Sequence, residues 1–169
     1  PTIIFFLSKV VNSHAEFRMA IKNNELVVWN EVHPNYTIFH NETETFSSLW
    51  SHYDGNIHHF QKTYSEDMAQ YRDNLSYWPK AESRENIFFI SAIPWVSFTS
   101  FNTNVAHMHN FFSPMFTLGK YYQQGEKIVL PLAVLVHHSV CDGFHVARLI
   151  NELQEMCDDI LHLSEAHKI

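Results

Sequence analysis

"LVHHSVCDGFHVARLINELQEM", residues 135–156, decides how this chain is read. Two adjacent histidines (His137 and His138), a cysteine, an Asp-Gly step and a third histidine (His145) fall within residues 137–145. The stretch opens as the end of an apolar, strand-like run. It closes as an amphipathic helix over about 143–161. Val146, Leu149, Ile150, Leu153, Cys157 and Ile160 form the stripe expected to be buried; Arg148, Glu152, Glu155, Asp158 and Asp159 form the face expected to be exposed. Asp142 stands where a helix N-cap belongs. On a strand, His138 shares one face with Val134 and Val136, while His137 shares the other with Leu135 and Ser139. The two histidines then point opposite ways and cannot do the same job.

Three chemistries fit these residues. The histidines are satisfied packing groups at a strand end, with Asp142 a simple cap. Or His138, Cys141 and His145 hold a metal such as zinc, which accepts such ligands, although no fourth ligand is evident nearby. Or one histidine is a general base held by an aspartate four residues later. An unperturbed pKa of about 6.5 suits an imidazole to that task. The spacing alone leaves all three open.

Upstream, residues 2–12 read as a largely buried helix with Ile3, Ile4, Phe6, Leu7, Val10 and Val11 inward. Asn23-Asn24 reads as a turn before a short strand, Leu26 to Trp29. "NYTIFH" and "ETFSSLW" alternate as half-buried strands do, and His58 to Tyr71 carries a helical stripe of Phe60, Tyr64, Met68 and Tyr71. "NIFFISAI" is apolar enough for a strand covered on both faces, with Ser91 near the bend that Pro94 imposes. Residues 115–138 read as two long strands around "QQGEK". One domain over residues 1–169 is expected, an α/β (α+β) two-layer sandwich in which a mixed β-sheet packs with helices.

The bulk numbers exclude some functions. Hydrophobic residues at 46% and charged residues at 17% describe a folded domain. A net charge of -7 without a Lys/Arg run argues against nucleic acid as partner. An anionic small ligand would need a local cation such as Lys120. Fourteen phenylalanines suit either a core or a flat apolar pocket. No apolar run approaches the ~18 residues of a membrane span. Cys141 and Cys157, if on one helix, lie roughly 24 Å apart, beyond disulfide reach. Free thiols and no signal-peptide pattern lead us to expect the cytoplasm.

"HHSVCDGFH" resembles the HHxxxDG signature of the CoA-dependent acyltransferase superfamily. "EFRMAIKNNELVVW", "HNETETFSSLW", "SAIPWVSFTSFN" and "FTLGKYYQQGEKIVLPL" narrow the likeness. They resemble the chloramphenicol acetyltransferase family of trimeric type, across nearly all of residues 1–162. The resemblance implies O-acetylation of chloramphenicol at its C3 hydroxyl, with acetyl-CoA as co-substrate and no metal, conferring antibiotic resistance. It implies a homotrimer with active sites between subunits. It also implies that a family segment of about a quarter of the enzyme precedes Pro1, where the sequence enters an apolar run at once.

Residue by residue, the resemblance makes His138 the base and Ser91 the oxyanion donor. Thr117 matches a threonine that holds a water near the reacting centre. Asp142 would support the site by pairing with an arginine from the preceding segment, for which Arg148 is a poor substitute. Phe46 and Phe101 would line the acceptor pocket, and Trp95, Lys120 and Tyr121 would meet coenzyme A. A related acyltransferase with another hydroxylated acceptor would keep His138 and Ser91 and vary residues such as Thr103 and Met115. A zinc-binding module is the rival from another class.

Overall fold

The computed structural model describes residues 1–104 and 108–166, with the backbone alone at residues 108 and 160–166. In chain order the elements are α1 (Thr2–Ser13), β1 (Met19–Lys22), β2 (Glu25–Val28), β3 (His33–His40), β4 (Thr45–Trp50) and α2 (Ile57–Tyr71). Next come β5 (Ile87–Ala92), β6 (Met115–Leu118), β7 (Tyr122–Gln124), β8 (Lys127–Val129), β9 (Leu132–Leu135) and α3 (Gly143–Ala166). Local chemistry sets several boundaries. Asn23 and Asn24 take φ of 53° and 64°, which asparagine tolerates better than most residues, and so close the β1–β2 hairpin. The Asn56 side chain accepts the amides of His58 and His59 at 3.0 and 3.2 Å and starts α2.

Five strands form a mixed sheet in the order β4-β3-β5-β6-β9. β3, β5 and β6 run parallel; the outer strands β4 and β9 run antiparallel to their neighbours. The core joins Tyr36, Leu49, Phe88, Ile90 and Phe116 of the sheet to α1, α2 and α3 through residues including Phe5, Phe60, Leu149 and Leu153. Each such side chain contributes about 1.5–3 kcal/mol by leaving water. This is the expected two-layer α/β arrangement.

The helices cover one face of the sheet, which corrects the reading of β5. Phe88 and Ile90 are buried against helices, whereas Ile87, Phe89 and Ser91 on the other face are half-buried. The two long strands expected over 115–138 are also broken. Gly119 lies so close to Phe98 and Pro131 that a Cβ there would sit 2.8 Å from the Phe98 ring. Pro131 has no amide to donate. The sheet therefore stops at Leu118 and resumes at Leu132, and β7–β8 stand apart as their own ribbon. On α3, Leu149 and Leu153 are buried as expected, but Ile150 is 43% exposed. Arg148 and Glu152 are half-buried, not free on the outer face, because the α1–β1 connection meets them. The Ile160 side chain lies outside the described residues.

Polar groups tie the layers together. Asp67 of α2 is buried, accepting from Ser51 at 2.6 Å and from Lys80 at 2.8 Å, while Tyr36 and Ser51 hydroxyls meet at 2.8 Å. His33 is 2% exposed and accepts the Tyr53 amide at Nδ1, 3.2 Å. Burial, then the neighbouring His52, Arg84 and Lys80, lower its pKa to about 4. Unfolded, this histidine titrates near 6.5, so its contribution to stability is complete above that pH. As pH falls from 6.5 toward 4, the unfolded chain takes up a proton that the folded chain refuses. We expect urea unfolding to show a stability decline of up to about 1.4 kcal/mol per pH unit from this group. His33→Gln should remove that part of the slope; an unchanged slope would assign it to other histidines.

Candidate active site

His138 lies three residues beyond the end of β9, in a turn and not on the strand. The alternation argument therefore does not reach it. What distinguishes the two histidines is the turn itself, which Val140 and Cys141 close by donating their amides to the His137 carbonyl, each at 3.1 Å. His138 is exposed, with Nδ1 3.2 Å from the Cys141 carbonyl. A carbonyl only accepts, so Nδ1 carries the proton and Nε2 keeps a lone pair. His137 is half-buried: its ring lies 4.5 Å from that of Phe112, and its Nδ1 accepts the Ser139 amide at 3.2 Å.

Asp142 caps α3 as expected. Its Oδ1 accepts the amides of Phe144 at 2.9 Å and His145 at 3.3 Å, and meets His145 Nδ1 at 2.7 Å. The His145 amide leads the causes that hold this carboxyl below the usual range. Arg148 pairs with Glu16 instead of Asp142. Asp142→Asn should therefore shift the melting temperature of residues 1–169 by less than about 2 °C, since asparagine caps about as well. A larger drop in a thermal melt would mean that the charge matters within these residues.

The His138, Cys141 and His145 donors are engaged separately. Nδ1 of His138 faces the Cys141 carbonyl, the Cys141 thiol lies 3.6 Å from the Glu16 carbonyl, and His145 meets Asp142. Among the described residues, the group whose candidate ligand atoms approach within 4.8 Å is instead Glu31, His33 and His52. Sequence reading passed over it, though the Glu-x-His spacing was visible. Nδ1 of His33 is taken there by the Tyr53 amide, and Arg84 Nη1 stands 3.3 Å from Nε2, where the guanidinium would repel a dication.

Ser91 and Thr117 are paired neighbours on β5 and β6, with Ala133 of β9 next in the row. Alternation places them on the sheet face without helices, together with Phe39 and Phe46, which pair across β3 and β4. Thr117 is buried, Ser91 half-buried and Phe46 exposed, edge-on to Tyr77 at 5.7 Å. Trp95 is 56% exposed and edge-on to Phe39 at 4.7 Å. Lys120 is tied to the same segment: its amide donates to Val96 at 2.8 Å, and its carbonyl accepts from Ser97 at 2.6 Å. Tyr121 follows, 67% exposed, and the Phe101 ring lies 5.5 Å from that of Phe98, tilted by 36°. Thus Ser91, Thr117, Trp95, Lys120 and Tyr121 cluster toward one end of the sheet.

His138 is at the other end. Ser91 is level with Ala133 two strands away, and His138 follows five residues later as β9 runs the opposite way. β9 ends at Leu135, level with Met115 and Phe89, so His138 lies past the opposite end of the strands from Ser91. A reacting atom must lie about 3 Å from both base and oxyanion donor, and the strand order argues against one chain bringing the two together. A cleft of about 440 Å³, lined by Trp50, Trp78, Arg84, Phe89 and Phe111 among others, opens on the helix-free face without touching either residue.

Comparison with known proteins gives a consistent picture. The family model described as chloramphenicol acetyltransferase matches residues 1–154. The chain is 64% identical over 159 residues to a chloramphenicol acetyltransferase of Proteus mirabilis, covering 94% of this chain and 73% of that protein. It is 59% identical to one of Escherichia coli, covering 94% and 72%. Among solved structures, a chloramphenicol acetyltransferase superposes with a TM-score of 0.78 at 20% identity, covering 90% of this chain and 74% of the other. The cubic core of the pyruvate dehydrogenase multienzyme complex superposes with a TM-score of 0.69 at 16% identity, covering 95% and 68%. These two structural likenesses speak to the fold.

Proposed function

The chain belongs to the chloramphenicol acetyltransferase family, and from that membership we propose that it transfers acetyl from acetyl-CoA to the C3 hydroxyl of chloramphenicol. The observation that carries the mechanism is the state of His138: exposed, with Nδ1 turned to a backbone carbonyl and Nε2 left basic. His138 Nε2 takes the hydroxyl proton as the oxygen attacks the thioester carbon. Ser91 donates to the oxygen that becomes negative. Collapse breaks the carbon–sulfur bond, and His138 returns the proton to the departing thiolate. Proximity of the two substrates contributes about 7–11 kcal/mol in well-oriented systems, and a positioned base about 10²–10⁴ in rate. Thr117 beside Ser91 would order a water there, and Asp142 would support the His138 turn. Phe46 and Phe101 would line the acceptor side. Trp95 would stack on the nucleotide, with Lys120 and Tyr121 beside it and the ammonium meeting phosphate. Consuming the drug this way would confer resistance, in the cytoplasm, where Cys141 and Cys157 stay free thiols.

The placement of His138 and Ser91 at opposite ends of the sheet supports a site shared between chains, as in a homotrimer in which the base of one chain faces the donor of its neighbour. The exposed sheet-face aromatics Phe39 and Phe46 agree with a face that a partner covers. Thiol release from acetyl-CoA, with and without chloramphenicol, tests the reaction; no drug-dependent release would refute it. Mixing the impaired His138→Ala and Ser91→Ala proteins, unfolded and refolded together, tests the shared site. Recovery of activity requires the two residues to come from different chains, and persistent inactivity would return both to one chain.

A further inference from the structure

The turn carrying His138 is held from outside by a residue that the reaction does not use. Glu16 sits in a short helical turn between α1 and β1, its side chain 15% exposed. Its carboxylate receives Arg148 from the first turns of α3, and His145 Nε2 stands 3.9 Å from the same oxygen. Its backbone carbonyl accepts from the Cys141 thiol at 3.6 Å. Burial, then the charges of Glu16 and Asp142, push that thiol up to about 12, so it remains a donor. Cys141 is 3% exposed, and its own carbonyl faces His138 Nδ1. Glu16 therefore grips both sides of the turn, through Cys141 before the helix and through Arg148 within it.

A second pair fixes the register. His14, two residues before Glu16, meets Glu152 at 2.7 Å, one helical turn beyond Arg148. Sliding α3 by one turn, about 5.4 Å, would set Glu16 against Glu152 in one direction or His14 against Arg148 in the other, and either slide breaks both pairs. The alternation of charge makes one axial position of α3 favourable and its two neighbours unfavourable. That position decides where the turn ends and hence where His138 Nε2 lies.

We propose that Glu16 is a positioning residue for His138, acting through Arg148 and Cys141. The inference rests on the acetyl-transfer reading above. Glu16→Gln and Arg148→Gln should each lower kcat about 10- to 100-fold with both KM values within about twofold, since a base misplaced by about 1 Å costs that much. The double variant should be no worse than either single, because both break one link. In hydrogen exchange, the amides of Val140 and Cys141 should exchange faster in each variant, a readout independent of turnover. Normal kcat with a lowered melting temperature would overturn the proposal, as would multiplicative losses in the double variant. Failure of both singles to fold would also overturn it, making the pair a folding element. A parent protein without drug-dependent thiol release would sink the acetyl-transfer reading instead, and the exchange rates would still decide the grip.

Discussion

His138→Ala is expected to abolish turnover, lowering kcat by at least the 10²–10⁴ that a positioned general base supplies. The side chain is exposed and holds the turn by a single contact to the Cys141 carbonyl, so the fold should survive the change. His137→Ala should do the reverse. It removes the ring packed against Phe112, a contact of about 0.5–1.5 kcal/mol, and leaves the base in place. Thiol-release rates and thermal unfolding of both variants separate the roles. If both stayed folded and lost activity equally, the assignment of the base to His138 alone would fail.

Ser91→Ala is expected to lower kcat by about 10²–10³, equivalent to about 2.7–4 kcal/mol, with little change in either KM. An oxyanion donor acts where charge develops, so its loss is felt in the transition state and hardly in the bound ground state. The half-buried position on β5 accepts alanine without a cavity. Normal kcat with weakened binding of either substrate would move Ser91 into ground-state recognition.

The elements most legible in the sequence were those whose patterns are local. The α2 stripe of Phe60, Tyr64 and Met68, the Asn23-Asn24 turn and the Asp142 cap need only neighbours within a few residues, and each was found. The failures came where distant segments decide. Nothing near "NIFFISAI" says that helices cover one face and leave Ser91 on the other. The break at Gly119 needs Phe98, some twenty residues earlier, and Pro131, after the ribbon. The run into His137 and His138 looked like strand because its apolar character continues past Leu135, where pairing with Met115 ends. Of the candidate site, the residue types were readable and their grouping in space was not. That the groups lie at opposite ends of the sheet followed from strand order, which no motif records.

That layout has a consequence for how the protein behaves when scarce. If each reaction centre borrows its base from a neighbouring copy, rate per chain is not a fixed property of the chain. It depends on how much of the population is assembled, so activity would fall faster than concentration once dilution begins to separate the copies. A cell with few molecules would then be disproportionately exposed to the drug. A copy damaged only in its base would silence one centre yet still lend its donor to another, so differently damaged copies would partly restore each other.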